Sequence, residues 1–220
     1  LVLSFEDDID GHGKEGLYRA LMQLTGLLAN NGFLLRGGIV KGKIYHTEEL
    51  VFGPALKQAY KHESEIADTP RVILEKNLAQ EWNVHQLTSR EIMHGECPWI
   101  CSPDGYYFFN FLPPFMGNTF FTDNDLWNNQ LNPYRKMILE KAKDKHCSEK
   151  IFEKYEWLAD YFDFICSKYS QVNGLQVSQE MKKNRIQTVL KSMNIKNIGK
   201  KLFIELNSRF RGNDGGFIAP

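Results

Sequence analysis

The chain has 220 residues, of which 42% are apolar and 25% charged, and this composition is typical of a folded globular domain with an extension. Its 27 Lys and Arg balance its 27 Asp and Glu, so the total charge gives no support for nucleic acid as a partner. No apolar stretch approaches the roughly 18 residues that a membrane-spanning helix needs, so no membrane span is expected.

The first half of the sequence predicts strands that alternate with helices. An apolar strand over 1–5 precedes four closely spaced acids, which would suit a metal but which we interpret as a solvated loop. A helix is predicted over 16–31, with one apolar stripe made of Leu17, Leu21, Leu24, Leu27 and Leu28. Further strands are predicted over 33–39, 43–46, 50–52 and 71–75, and a further helix from Pro54 to about Ile66. The alternation indicates a mixed sheet with helices packed on one face.

Two features between Arg36 and Pro54 bear directly on function. Two adjacent glycines, Gly37 and Gly38, mark a place in a strand where another backbone or a ligand comes close. Gly53 and Pro54 then open a helix, and a helix N-terminus attracts anions. Together they predict a site for a phosphate-bearing substrate.

The second half of the sequence is predicted to be mainly helical. An aromatic strand over 105–111 could stack on a base, but a sheet face covered by helices is the commoner reason for such a strand. Helices are predicted over 134–145, 149–169 and 178–193. The four cysteines lack the spacing of a disulfide framework, which predicts reduced thiols and a cytoplasmic location.

A block of sequence over 36–63, RGGIVKGKIYHTEELVFGPALKQAYKHE, carries a resemblance to a known family. With the PRVIL strand over 70–74 behind it, the block resembles bacterial class III nucleotidyl cyclases, most nearly the Pycsar-type pyrimidine cyclases that make cyclic CMP or cyclic UMP in anti-phage defence. DGYYFFNFL over 104–112 and KYEWLADY over 154–161 give weaker support, and the resemblance covers about 1–165.

The resemblance implies an α+β fold, an α/β sandwich of the ferredoxin-like, polymerase-palm type, with a C-terminal helical extension. The expected domains are an incomplete cyclase domain over 1–115, a linker and helical extension over 116–195, and a disordered tail over 196–220. In the family, two carboxylates hold two Mg²⁺ or Mn²⁺ ions at the triphosphate. The strand over 1–5 resembles the one that follows the second carboxylate, so both are expected upstream of Leu1, and no metal ligand is expected in this chain.

A second catalytic element in the family is an Asn and an Arg on the helix after the glycine turn. Lys57 and Lys61 take these positions, and their spacing puts both on one helix face. They could meet a triphosphate, although Lys does not reproduce the planar Arg fork, and the alternative is that they are ordinary surface lysines. The expected nucleotide-binding residues are Arg36, Gly37, Gly38, Tyr45, Gly53 and Pro54.

The leading functional hypothesis is a nucleotidyl cyclase that converts a pyrimidine nucleoside triphosphate to its 3′,5′-cyclic monophosphate and pyrophosphate in anti-phage signalling. The intact protein is expected to be a homodimer, and this chain is expected to be inactive on its own. Replacing Gly38 by valine is expected to weaken nucleotide binding while leaving the fold intact. The alternatives are a non-catalytic cyclase-like module that binds a nucleotide or dimerises, and a decayed gene remnant.

Overall fold

The chain divides into two units, Leu1–Phe121 and Thr122–Pro220. The computed structural model describes residues 1–6, 12–84, 98–112, 131–167 and 176–192. Most of the predicted linker and all of the predicted disordered tail lie outside these ranges, as do Asp7, Asp8 and Asp10 of the acidic loop.

The first unit contains helices and a mixed sheet, so its fold is α+β, as predicted. Its described elements are α1 (His12–Asn30), β1 (Gly37–Ile39), β2 (Tyr45–His46), β3 (Val51–Phe52), α2 (Pro54–Lys61), β4 (Val72–Leu74), α3 (Lys76–Glu81), β5 (Trp99–Cys101) and β6 (Tyr107–Phe109). A π-helical turn, His62–Ile66, continues α2. The predicted strand over 1–5 is wrong, because residues 1–6 pair with no strand in the described part of the chain.

Four strands form the main sheet in the order β1-β4-β6-β5. The ladder between β1 and β4 is parallel, with Gly37 opposite Val72, and the other two ladders are antiparallel. The connection from β1 to β4 contains the separate β2–β3 hairpin and α2. Because β1 is the first strand in this order, it lies at an edge of the sheet as described.

The helices α1 and α2 lie on opposite faces of this sheet, so the prediction of helices on one face is wrong. Gly38 faces α2, since a Cβ there would meet the backbone oxygen of Ala59. Tyr18 of α1 packs instead on Trp99 and Phe109. The strand register puts Phe109 and Gly38 on opposite faces, because side chains alternate along each strand.

The buried stripe of α1 differs from the predicted one. Leu21, Thr25 and Ala29 are buried, at the spacing of four that follows one side of a helix, whereas Leu27 is 64% exposed. The Thr25 hydroxyl is satisfied inside the fold because it donates to the Leu21 carbonyl oxygen at 2.8 Å. The buried face of α1 therefore includes the polar residue Thr25, whereas only leucines were predicted there.

The second unit is built from α4 (Asn132–Lys143), α5 (Glu149–Cys166) and α6 (Val177–Ser192), and each pair of these helices is in contact. Asp163 of α5 caps the start of α6 by accepting the backbone N–H groups of Val177 and Ser178 at 2.7 and 3.0 Å. Arg185 of α6 donates to the carbonyl oxygens of Asp144 and Cys147 at 2.9 and 2.7 Å. These contacts fix α6 against the turn between the other two helices.

Candidate functional site

The motif block over 36–63 folds as one strand–hairpin–helix segment. Gly53, with φ at 143°, joins β3 to α2, and a Cβ at this position would lie 2.6 Å from the Lys43 carbonyl oxygen. The same oxygen accepts the Ala55 N–H at 3.2 Å. Gly53 is therefore needed for the hairpin to close against the backbone that leaves β1.

The contact of the hairpin with Lys43 reduces the number of free N–H groups at the N-terminus of α2. Pro54 carries no N–H, and the N–H of Ala55 already donates to Lys43. Two of the first amide positions are thus unavailable to an anion. The N-terminus of α2 therefore offers fewer free N–H donors to a phosphate than we predicted from Gly53 and Pro54 in the sequence.

Gly38 permits the approach of the protein's own helix. A Cβ at Gly38 would lie 2.5 Å from the Cβ of His62 and 2.8 Å from the Ala59 backbone oxygen. The buried His62 ring makes a 2.9 Å hydrogen bond with the Gln58 carbonyl oxygen. Of the two explanations for the glycine pair, close approach of another backbone is the one that applies to Gly38. The expectation that Gly38→Val leaves the fold intact is therefore wrong.

A cleft of about 1010 Å³ lies beside β1 in the first unit. Residues 1–6, β1 and the two helices α1 and α2 contribute to its walls. The apolar part includes Leu17, Leu21 and Leu24 from α1, and Ala55 and Ala59 from α2. The cleft is therefore bordered by apolar side chains from both faces of the sheet.

Four cations and two carboxylates also line this cleft, and they are Lys14, Arg36, Lys41, Lys43, Glu6 and Glu63. Arg36 donates from Nε to Glu63 Oε1 at 2.6 Å. Lys41 pairs with Glu81, and Lys14 lies 5.0 Å from the centre of the Trp82 ring. Lys43 has no ion-pair partner in the described ranges, so the lining keeps an excess of positive charge.

The structure separates the sequence-predicted site residues into two sets. Arg36, Gly37 and Gly38 line the cleft. The remaining predicted residues are absent from its described lining, and these are Tyr45, Gly53, Pro54, Lys57 and Lys61. The cleft and the hairpin–helix surface are thus two different candidate places for a ligand.

Aromatic and cationic side chains are exposed on the hairpin–helix surface. Tyr45 and Phe52, each about half exposed, pack together with their ring centres 5.0 Å apart. Lys57 and Lys61 are exposed on α2, and Lys61 lies 4.0 Å from Glu65. Lys57 has no ion-pair partner in the part of the chain that is described. The hairpin can offer aromatic rings to a ligand, and α2 can offer positive charge.

Two contacts in the first unit could not be found from sequence spacing. Ser4 Oγ lies 2.7 Å from His46 Nδ1, which ties residues 1–6 to the hairpin. Arg71 donates to Ser102 Oγ at 2.5 Å and pairs with Asp104. The second contact joins the PRVIL strand to the DGYYFFNFL segment, the two supporting parts of the family resemblance. Both contacts link residues that are far apart in the chain.

The described carboxylates do not fit a site for two divalent ions. Within the described ranges, His, Cys, Asp and Glu form no group of three or more that could hold a metal. Of the two acids that line the cleft, Glu63 is paired with Arg36. Mg²⁺ or Mn²⁺ at this cleft would require carboxylates other than those described.

Comparisons with known proteins identify no relative from which a function could be inferred. No protein-family model, curated protein or solved structure matches this chain. In addition, none of the described helices is both long enough and apolar enough to cross a membrane.

Proposed function

We propose that the first unit is a nucleotidyl-cyclase-like domain that binds a nucleoside triphosphate. A cyclase of this kind would convert a pyrimidine nucleotide to its 3′,5′-cyclic monophosphate for anti-phage signalling. The observation that supports this proposal most is the folding of the motif block as one continuous β1–hairpin–α2 segment with exposed lysines on the helix. The parallel pairing of β1 with the PRVIL strand adds to that support.

The hairpin–helix surface has the chemistry that a nucleotide requires. Lys57 and Lys61 are one helical turn apart, so both ammonium groups can face one chain of phosphates. Tyr45 and Phe52 expose ring faces on which a base can stack. We further propose that the enzyme is a homodimer, with the two lysines facing the nucleotide of the partner subunit.

Cyclisation of the nucleotide needs more than this surface. In the family, Mg²⁺ or Mn²⁺ neutralises charge that develops on the triphosphate. Since the described carboxylates do not fit two such ions, we assign nucleotide binding to the described residues. Turnover is assigned to a protein in which further carboxylates complete the metal site.

Calorimetric titration of the 220-residue chain with non-hydrolysable analogues of CTP, UTP, ATP and GTP tests the binding proposal. The double variant Lys57→Ala/Lys61→Ala should bind about tenfold more weakly, because two charged contacts to phosphate are removed. Lys136→Ala, an equally exposed lysine on a helix of the other unit, is the matched control and should not change affinity. Equal binding by the double variant and the wild type would reject this surface as the nucleotide site.

A second candidate is a non-catalytic module that binds a nucleotide without converting it. The observation that favours it is the ion pair between Arg36 and Glu63, because Glu63 is the acid of the motif block that lines the cleft. Incubation of the protein with each triphosphate and Mn²⁺ separates the two functions. A cyclic product supports the cyclase, whereas binding without any product supports the module.

A further inference from the structure

The β2–β3 hairpin forms a two-stranded sheet that is separate from the main one. Its ladder, as described, consists of two residue pairs, Tyr45 with Phe52 and His46 with Val51. A two-stranded hairpin is marginally stable in water by itself and gains stability by packing on other elements. The order of this hairpin therefore depends on the contacts that hold it to the rest of the first unit.

Hydrogen bonds fix the base and the tip of the hairpin. At the base, the Ala55 N–H donates to the Lys43 carbonyl oxygen at 3.2 Å. At the tip, the Thr47 N–H donates to the Leu50 carbonyl oxygen at 2.9 Å, and the Leu50 N–H donates to the Thr47 hydroxyl oxygen at 3.2 Å. None of these contacts joins the paired residues to another element of the first unit.

A side-chain hydrogen bond makes that connection in the middle of the hairpin. Ser4 Oγ lies 2.7 Å from His46 Nδ1. The next residue, Phe5, contacts α1 at Gly16, because its ring lies 3.4 Å from the position that a Cβ at Gly16 would take. Ser4 and Phe5 therefore link the hairpin to α1.

The hydrogen bond reaches the hairpin from the side opposite its aromatic pair. Successive side chains of a strand point to opposite faces, so His46 and Tyr45 lie on different faces of the hairpin. Phe52 is paired with Tyr45, and their ring centres are 5.0 Å apart. Ser4 therefore supports one face of the hairpin, while the two rings on the other face stay about half exposed.

We propose that Ser4 and His46 are positioning residues for a nucleotide, and that their hydrogen bond holds Tyr45 and Phe52 in the arrangement on which the base stacks. This inference rests on the proposed function of the hairpin–helix surface. A hairpin that is ordered before binding does not have to be ordered by the ligand, so less of the binding free energy is lost as conformational entropy.

The positioning role predicts different effects on the two parts of a nucleotide. Lys57 and Lys61 are carried by α2, whereas the two rings are carried by the hairpin. Loss of the Ser4–His46 hydrogen bond should therefore weaken contacts with the base and leave contacts with the phosphates unchanged. Inorganic tripolyphosphate has a chain of phosphates and no base, so it probes the lysines alone.

Calorimetric titration of Ser4→Ala in the full chain tests this difference. Affinity for the non-hydrolysable nucleotide analogue that the wild type binds most tightly should fall about fivefold, the order of one hydrogen bond, with tripolyphosphate affinity unchanged. Ser4→Thr keeps a hydroxyl and should recover most of the affinity. Ser167→Ala is the matched control, because Ser167 is an exposed serine of the other unit whose hydroxyl also donates a hydrogen bond. Equal losses for both ligands, or no loss for either, would overturn the positioning role.

A double-mutant cycle connects the hydrogen bond to the rings. In the Phe52→Ala background, Ser4→Ala should cost no further affinity for the nucleotide analogue, because the ring pair that it positions is already lost. Losses that simply add would show that Ser4 acts on the nucleotide by another route and would contradict the proposal.

Nuclear magnetic resonance order parameters separate failure of this inference from failure of the proposed function. Without ligand, the backbone order parameters over 45–52 should fall in Ser4→Ala and be restored in Ser4→Thr. A wild type that binds no nucleotide would reject the proposed function and the positioning role together. Unchanged order parameters in Ser4→Ala, in a chain that binds nucleotide, would overturn only the inference about Ser4 and His46.

Discussion

Arg71 and Asp104 form an ion pair in which the guanidinium is 5% exposed and the carboxylate 42% exposed. The pair links the residue before β4 to the turn between β5 and β6. Ser102 takes part in it, since its hydroxyl accepts from Arg71 and donates to Asp104. The two central strands of the sheet, β4 and β6, are thus linked by a charged contact as well as by their ladder.

Removal of the Asp104 carboxylate should destabilise the first unit. Asp104→Asn leaves the buried Arg71 without its main counter-charge, and we expect a loss of about 1–2 kcal/mol, below the ~3–5 kcal/mol of a fully buried pair because Asp104 is partly solvated. Asp68→Asn is the control, since Asp68 lies 3.8 Å from Arg71 but is mostly exposed. Urea unfolding of the two variants and the wild type measures the difference, and equal effects would contradict a specific role for Asp104.

The same pair predicts how stability depends on pH. Burial would raise the pKa of Asp104, but hydrogen bonds from Arg71 and Ser102 outweigh it and hold this pKa below its ordinary value. The stabilisation is therefore complete above the unfolded pKa of about 3.9, and it is lost as the pH falls below that value toward the folded pKa. Wild-type unfolding free energy should fall more steeply than that of Asp104→Asn as the pH drops below about 4. Parallel pH profiles would exclude this contribution.

The two adjacent glycines of β1 should respond differently to the same substitution. Gly38→Ala forces a Cβ to within 2.5 Å of His62 Cβ and 2.8 Å of a backbone oxygen, so α2 must move, and we expect a loss of about 3 kcal/mol. Gly37→Ala is the matched control, because its Cβ would meet the Val72 methyl groups at 3.7 and 3.8 Å, which are ordinary contact distances. Thermal unfolding of both variants checks the difference. A Gly38→Ala variant as stable as Gly37→Ala would show that α2 is not held in this position.

The second unit should depend on the cap that Asp163 provides to α6. Asp163→Ala removes the acceptor of two backbone N–H groups and of the Ser178 hydroxyl, at an expected cost of about 1–2 kcal/mol. Asp163→Asn keeps one acceptor oxygen and should retain part of the stability. Hydrogen exchange should become faster first in the initial turn of α6. Exchange that increases equally along all three helices would point to loss of the bundle instead of loss of the cap.

The sequence predicted the helices better than the strands, for a physical reason. Apolar spacing identifies α5, and the proline after the Gly53 turn identifies the start of the helix from Pro54. Such local signals suffice because a helix forms its hydrogen bonds within itself. A strand exists only where a partner is present, and residues 1–5 have the composition of a strand but no partner in the described chain. The strand predicted over 33–39 is shorter in the structure. Only Gly37–Ile39, which form β1, pair with β4.

The candidate site could be predicted only in part. Gly38 and Gly53 were identified correctly as positions where a side chain does not fit, whereas Gly37 makes only ordinary contacts. The role of Gly38 could not be assigned from sequence, since His62 and Ala59 approach it only in the folded chain. The contacts of His46 with Ser4 and of Arg71 with Asp104 were missed for the same reason, because they join segments that are distant in sequence.

The parallel ladder between β1 and β4 has a consequence for the kinetics of folding. Before these strands can pair, the chain must place the whole hairpin and α2 across one face of the sheet, so loop-closure entropy is lost before the ladder forms. Helices, in contrast, form their backbone hydrogen bonds between residues four apart and need no such loop closure. We therefore expect stopped-flow refolding to show two phases, with far-ultraviolet circular dichroism recovering mainly in the fast one and the environment of Trp99 in the slow one.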